Sequence, residues 1–312
     1  MKVSDFGEEA LIAAFAEIYQ ARSGVQVGIG DDGAVVEISS KRQVITTDIA
    51  TDGVHFNRSW SKPSDIGAKI AIANLADIYA MGAEPKFLTV ALSFSGDEDV
   101  SYLLDIARGI ESEARQHNVS IVGGDVIAGN SLTIFITAIG EVEAPVLRSG
   151  AKVGDAVFLT RTTGKSLGGL LLLSKGLASI NSDEVRIFQR PDFHPEDLVE
   201  FGFENMSALM DVSDGLISDL ARIGKASHVG IDLDISEEVL DGLREFAEKT
   251  GVPALELFLR SGEEHSFIVF IPREHMGRIP QTWNRIGTAV VGERITLRGA
   301  ELPVAEVSWH WQ

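Results

Sequence analysis

The chain has 312 residues, a formal net charge of −19, 45% hydrophobic and 23% charged residues, and no cysteine. That length carries one large or two medium domains of ordinary globular composition, and the acidity argues against nucleic acid and anionic membrane as partners. Disulfides, thiolate metal sites and thiol nucleophiles are excluded, no apolar run approaches the ~20 residues of a membrane span, and acids stand where a signal peptide carries bases, so a cytoplasmic location is expected.

In chain order, apolar Leu11, Ile12, Phe15, Ile18 and Tyr19 form a helical stripe over 7–22, with Glu8 and Glu9 at its start. The stretches "AVVEI" and "QVITTDI" read as short strands. A long helix opens at Pro63 and Ser64, runs through "DIGAKIAIANLADIYAMGA", and is ended by Gly82 and Pro85. Strand "KFLTVALSF", helix "DEDVSYLLDIARGIESEARQHN" and strands "VSIVGG" and "SLTIFITAIGEV" follow. The turn-rich "EAPVLRSGAKVGD" marks a boundary between domains 1–145 and 146–312. Beyond it come strand "AVFLT", helices within 165–203, the segment "SALMDVSDGLISDLARIGK", strand "VGIDLDI", a helix near 237–249, and strands "HSFIVFI" and "TAVVGERITL". The pattern is mixed α/β in two halves.

Two stretches imitate nucleotide motifs. Gly28, Gly30 and Gly33 in "GIGDDG" spell G-x-G-x-x-G, but a dinucleotide turn needs a helix after the third glycine, and "AVVEI" is strand-like. Asp31 and Asp32 would also repel a bare phosphate, by about 4 kcal/mol per unit pair at ~4 Å and an effective dielectric of ~20. Gly164, Lys165 and Ser166 resemble the end of a P-loop. Leu159 stands where that motif needs its first glycine, so the stretch reads as a strand-to-helix turn.

The acids flanked by small or apolar residues form a set: Asp32, Asp48, Asp52, Asp77, Asp125, Asp211, Asp214 and Glu263. Several follow strand-like segments, and strand ends gather at one edge of a sheet. Carboxylates so gathered repel one another unless cations neutralise them. The donors are oxygen, with Thr46 and Thr47 beside Asp48, so Mg²⁺ fits, and Mg²⁺ binds through a few carboxylates plus substrate phosphates. Taken singly, each acid has a plainer reading: Asp214 as a helix cap, Glu263 as a loop acid, Tyr102 as core, His55 as a half-buried strand residue, Arg148 as a surface ion pair.

The stretches "GIGDDGAVV", "TTDIATDGVHF", "NLADIYAMGAEP", "VGGD", "LRSGAKVGD" and "DVSDGL", in this order, resemble the thiamine-monophosphate kinases of the aminoimidazole-ribonucleotide synthetase superfamily. The resemblance implies a mixed α/β, two-domain fold whose N-terminal domain binds metal and ATP and pairs strands across a homodimer, followed by a C-terminal α/β domain. It implies ATP-dependent phosphorylation of thiamine monophosphate to thiamine diphosphate with several Mg²⁺ ions. By position, Asp32, Thr46, Thr47, Asp48, Asp77, Asp125, Asp211 and Asp214 would be metal ligands. Tyr102, Gly124, Asp125, Arg148 and Ser213 would hold ATP, and Asp48, Asp125 and Arg148 would act in catalysis. His55 and Glu263 would contact thiamine monophosphate, with Trp309 or Trp311 near its cationic ring. The acceptor phosphate is already ionised, so direct in-line transfer needs no general base.

One departure stands out. Where the family usually has G-G-E-D-Y, this chain has "SGEEH", with Ser261 for Gly, Glu264 for Asp and His265 for Tyr. Two rival readings are another ATP-using enzyme of the superfamily, such as aminoimidazole-ribonucleotide synthetase, and a non-catalytic regulator that binds metal and nucleotide.

Overall fold

A computed structural model describes residues 1–29, 33–39 and 41–302. Asp32, Trp309 and Trp311 lie outside the described residues. The chain divides into two compact units, Met1–Tyr79 with Ala83–Ala144, and Ala80–Gly82 with Pro145–Gln312.

The first unit runs α1 (Val3–Phe6), α2 (Glu8–Ile18), β1 (Val25–Val27), β2 (Val35–Val36), β3 (Arg42–Thr51), α3 (Pro63–Ala80), β4 (Glu84–Phe94), α4 (Val100–Gln116), β5 (Ser120–Ala128) and β6 (Thr133–Val142). Strands β3 to β6 form a sheet in the order β3-β6-β4-β5, antiparallel except for the β4–β5 pair. Period-2 alternation gives it two unlike faces. In β6, Ile134, Ile136 and Ala138 are fully buried, whereas Phe135, Thr137 and Ile139 are half-buried. The buried face lies against α3, whose Ile78 packs over Gly140. The other face is open and partly apolar: Ile45 is 65% exposed and Ile49 51%.

The second unit runs β7 (Ala156–Leu159), α5 (Lys165–Ser174), α6 (Arg186–Gln189), α7 (Glu196–Phe201), β8 (Ala208–Asp211), α8 (Leu216–Ser227), β9 (Gly230–Leu233), α9 (Glu237–Leu240), α10 (Arg244–Thr250), α11 (Ala254–Arg260), β10 (Phe267–Ile271), β11 (Asn284–Val290), β12 (Ile295–Leu297) and β13 (Ala300–Glu301). Its strands order as β13-β12-β9-β11-β7-β10-β8. Every residue of the interior strands β7 and β10 is buried, so these strands are covered on both faces. That is why they read as unbroken apolar runs rather than alternating ones.

Several sequence expectations shift. The helix expected over 7–22 runs Glu8–Ile18 and ends at Tyr19, and a short helix, Val3–Phe6, precedes it across Gly7. The single strand expected over 288–297 is two, β11 and β12, separated by a turn in which Gly292 has φ +121°. The helix near 237–249 is two, with a 3₁₀ turn at Asp241–Leu243 between them, and α11 has no counterpart in the sequence reading. No described helix is long and apolar enough to cross a membrane.

Candidate active site

The glycine-rich stretch that opens like a dinucleotide turn joins two antiparallel strands, β1 and β2, with Val25 opposite Val36. No helix follows Gly33, so the phosphate-receiving helix N-terminus of a dinucleotide fold is missing there.

In the first unit the acids are set by β3 and α3. Alternation along β3 turns Val44, Thr46, Asp48 and Ala50 to the α3 side, and Ile45, Thr47 and Ile49 to the open side. Between Ile66 and Ala80 on α3 only Ala73 and Asp77, one helical turn apart, are not buried. Thr46 Oγ1 donates to Asp77 Oδ2 at 2.6 Å. Asp48 shares that face, so Thr46, Asp48 and Asp77 form an oxygen-only group. Thr47 does not join it. Its hydroxyl lies on the opposite face, donating to the Ile136 carbonyl at 3.0 Å and accepting from Thr137 Oγ1 at 3.1 Å. Asp125 is also apart. It pairs with Ala91, which is in register with Phe135 and Ile49, so it sits on the open side. It is three strands from β3, about 14 Å at ~4.8 Å per strand. Gly124 beside it has a structural reason, because a Cβ there would lie 1.7 Å from the Val90 carbonyl oxygen.

His55 is in the turn after β3 and not in a strand. The Thr51 N–H donates to His55 Nδ1 at 3.1 Å, and the His55 N–H returns to the Thr51 carbonyl at 3.0 Å. An Nδ1 that accepts leaves the imidazole proton on Nε2. Three residues on, Arg58 ties this turn to the start of α4. Its guanidinium meets Asp52 at 2.7 Å and holds both Glu98 oxygens at 2.7 and 2.8 Å. The same group lies 5.4 Å over the Tyr102 ring. Burial pushes the Tyr102 hydroxyl up to about 12, with nearby Arg58 opposing, and that hydroxyl has no hydrogen-bond partner among the described residues.

In the second unit two loops clasp each other. The loop 212–215 leads from β8 into α8, and the loop 261–266 leads from α11 into β10. Glu263 N–H donates to the Ser213 carbonyl at 3.0 Å, His265 N–H to the Val212 carbonyl at 3.2 Å, and Val212 N–H to the Ser266 carbonyl at 2.7 Å. Gly262 makes the approach possible: a Cβ there would stand 2.2 Å from the Ser213 carbonyl oxygen. Glu263 and His265 hold φ of +64° and +52°, a conformation uncommon for non-glycine residues. Both are buried, so Glu263 is no ordinary loop acid.

Each acid of "DVSDGLISD" has a defined partner. His265 Nδ1 lies 3.0 Å from Asp211 Oδ2. Arg222 binds Asp214, which does not cap α8; that place belongs to Gly215. Asp219 is fully buried and accepts from the Ser213 and Asp214 N–H groups at 3.0 and 3.2 Å, and from Arg222 at 2.6 Å. Burial, then repulsion from Asp211, raises its carboxyl to about 7 against the opposing pull of Arg222.

The departure "SGEEH" has a structural account. Glu264 is buried at the start of α5 and accepts from the Gly164 and Ser166 N–H groups at 2.7 and 2.8 Å. Ser261 Oγ donates to the same carboxylate at 2.8 and 2.9 Å and accepts from the Leu167 N–H at 3.1 Å. Burial raises Glu264 to about 7, only partly offset by these donors. The P-loop-like stretch is therefore a strand-to-helix turn whose helix N-terminus is already filled by a carboxylate. Arg148 is exposed, and its carbonyl accepts from Ser227 Oγ at 2.8 Å.

The described acids thus divide between the two units, Asp48, Asp77 and Asp125 in the first and Asp211 and Asp214 in the second. Among the described residues no group of three or more Asp, Glu or His side chains is arranged to hold a metal ion. Sequence reasoning missed Asp219, Arg222 and Arg58 as parts of these clusters.

Residues 30–142 match the family model for the AIR synthase related protein, N-terminal domain. The fold is accordingly that of the AIR synthase-related class. Within that class, the chain is 32% identical over 306 residues to the thiamine-monophosphate kinase of Mycobacterium tuberculosis, covering 96% of this chain and 90% of that protein. It is 31% identical over 314 residues to the thiamine-monophosphate kinase of Aquifex aeolicus, covering 97% of each. The solved structure of AaThiL complexed with AMPPCP and TMP superposes with a TM-score of 0.77 at 29% identity, over 97% of both chains. The chain belongs to the thiamine-monophosphate kinase family.

Proposed function

We propose that the protein transfers the γ-phosphoryl group of ATP to thiamine monophosphate, giving thiamine diphosphate and ADP. The observation that carries this reading is the Thr46–Asp77 bond, which aligns an oxygen-only acidic group with Asp48 in a chain of this family. An A. aeolicus relative is a thiamine-monophosphate kinase, and AaThiL is known in complex with AMPPCP, an ATP analogue, and TMP.

The donor chemistry fits Mg²⁺. Paired carboxylates and hydroxyls suit an ion that fills its remaining positions with water and phosphate oxygens. Asp48 and Asp77 with Thr46 would hold it in the first unit, and Asp211 and Asp214 in the second, with Asp32 added by family position; Thr47 and Asp125, on the opposite face of the first sheet, would not reach the same ion. Bound there, Mg²⁺ supplies charge neutralisation for the phosphates. The rest is positioning by the chain. His55, its proton held on Nε2, donates to the acceptor phosphate. Tyr102, Gly124, Ser213 and Arg148 hold ATP, Arg148 through bidentate phosphate pairing. Glu263, and Trp309 or Trp311, contact the thiamine moiety. An ionised phosphate oxygen of thiamine monophosphate attacks Pγ in line as the bond to the ADP oxygen breaks, so no base has to remove a proton.

The protein acts as a homodimer joined through the open sheet face, where Ile45, Ile49 and Ile127 are 51–65% exposed. An apolar strip of this kind on a sheet is an association surface rather than a solvated one. A coupled assay for ADP, with thiamine diphosphate measured in parallel, tests the reaction. Asp48→Asn is expected to lower turnover about 10²–10³-fold with melting unchanged. ADP release without thiamine diphosphate, or near-normal turnover in that variant, would overturn the assignment.

A further inference from the structure

We propose that Asp219 and Arg222 are positioning residues for the Asp211–Asp214 loop: Asp219 fixes the loop backbone, and Arg222 holds the Asp214 carboxylate until a divalent cation takes it. The cation part rests on the reading of Asp211 and Asp214 given above; the backbone part does not.

The case for Asp219 is geometric. Leu216, Asp219, Leu220 and Ile223 share the buried stripe of α8, and all four are fully enclosed. A carboxylate in such a place is strongly disfavoured unless its lone pairs are met by donors. Here Oδ2 takes the amides of Ser213 and Asp214, and Oδ1 takes Arg222 Nη1. The two amides belong to the turn that follows Asp211 and carries the Asp214 side chain. One buried group therefore sets the turn from inside, while the clasp of Gly262–His265 sets it from the other side.

Arg222 spends its two terminal nitrogens differently. Nη1 goes to the inaccessible Asp219, and Nη2 to Asp214. The Asp214 and Arg222 side chains are 22% and 41% exposed, so their contact lies at the solvent edge, open to a competing cation. Asp211 and Asp214 both act electrostatically on Asp219, and a single guanidinium serves the latter two. The acid excess favours an added cation, and Asp214 is the carboxylate that can change partners.

The two residues therefore predict opposite signs. Removing the competing guanidinium in Arg222→Gln tightens divalent binding at Asp214, whereas Asp219→Asn loosens the turn and leaves Arg222 to Asp214 alone. With the full-length protein and Mn²⁺ alone as probe, read by paramagnetic resonance of the free ion, Arg222→Gln is expected to lower Kd about three- to tenfold and Arg222→Lys to return it to within about twofold. Asp219→Asn is expected to raise Kd about tenfold and to speed hydrogen exchange of the 213 and 214 amides at least about tenfold, with the rest of the second unit unchanged. A role in helix stability alone would move both affinities the same way or neither. Weakened or unaltered Mn²⁺ binding in Arg222→Gln overturns the role of Arg222. Unaltered exchange at 213–214 in Asp219→Asn overturns that of Asp219. If wild-type protein binds no Mn²⁺, the cation reading of this loop and the Arg222 role fall together, and the exchange result alone decides Asp219.

Discussion

Substituting Gly262 by alanine is the sharpest test of the clasp between the two loops of the second unit. An added Cβ would stand 2.2 Å from the Ser213 carbonyl oxygen and 2.9 Å from the Gly215 nitrogen. Ordinary carbon–oxygen contact is ~3.5 Å, so the loops must part by about 1 Å. That movement breaks the Glu263 N–H to Ser213 and His265 N–H to Val212 hydrogen bonds, which are 3.0 and 3.2 Å long. Each is worth about 0.5–1.5 kcal/mol and the overpacking about 1–3 kcal/mol, giving a loss of roughly 2–6 kcal/mol. For a unit of this size, at about 2–4 °C per kcal/mol, that lowers Tm by roughly 5–20 °C. A ~1 Å displacement of Glu263 against Asp214 also costs about 10²-fold in kcat/KM. Thermal melting by circular dichroism and the coupled ADP assay read the two effects. Gly277→Ala, where a Cβ meets nothing within 4 Å, is the control and should be silent. Wild-type melting and activity in Gly262→Ala would refute the argument that this close approach builds the site.

Two further outcomes are expected. Glu264 has its folded-state carboxyl raised to about 7 from 4.5, so the native state keeps a proton that the unfolded chain has released between those values. Its contribution to stability is accordingly highest below pH 4.5, falls as pH rises to about 7, and is flat beyond, a change on the order of 3 kcal/mol. Glu264→Gln lacks this dependence, so the Tm gap between it and wild type should shift in favour of the variant from pH 5 to pH 7.5; parallel profiles would contradict the sign. Ile49→Lys places a charge on the open sheet face and should convert a two-chain species to a one-chain species in sedimentation; a wild type that already sediments as one chain would end the dimer reading.

Much of the fold was legible because burial writes itself into period. The runs "AVFL" and "FIVFI" are apolar throughout, and the strands they form are covered on both faces. The same logic applies to β3. Strict alternation separates Thr46 and Asp48 from Thr47, so both threonine hydroxyls could not line one site. Asp219 was hidden as an acid in an amphipathic helix. The signal was its register, three residues after Leu216 and four before Ile223, which puts a carboxylate on the apolar stripe. The start of the α11 helix is marked by Pro253 just before it. Contacts such as Glu264 to Gly164, 100 residues apart, leave no local trace at all.

That last contact also explains how a chain can carry a P-loop-like "GKS" without a phosphate site there. A helix N-terminus attracts anions because its first amides lack partners. In α5 those amides already face the Glu264 carboxylate, which Ser261 holds from the other side. A phosphate entering would have to displace a buried anion with three donors and take its place beside Glu263, adding repulsion in a protein of charge −19. Ser261 and Glu264 thus serve the scaffold of the loop. In the function proposed above, recognition of phosphate falls instead to cations and to donors such as Arg148 and the Nε2–H of His55, whose tautomer the Thr51 amide holds.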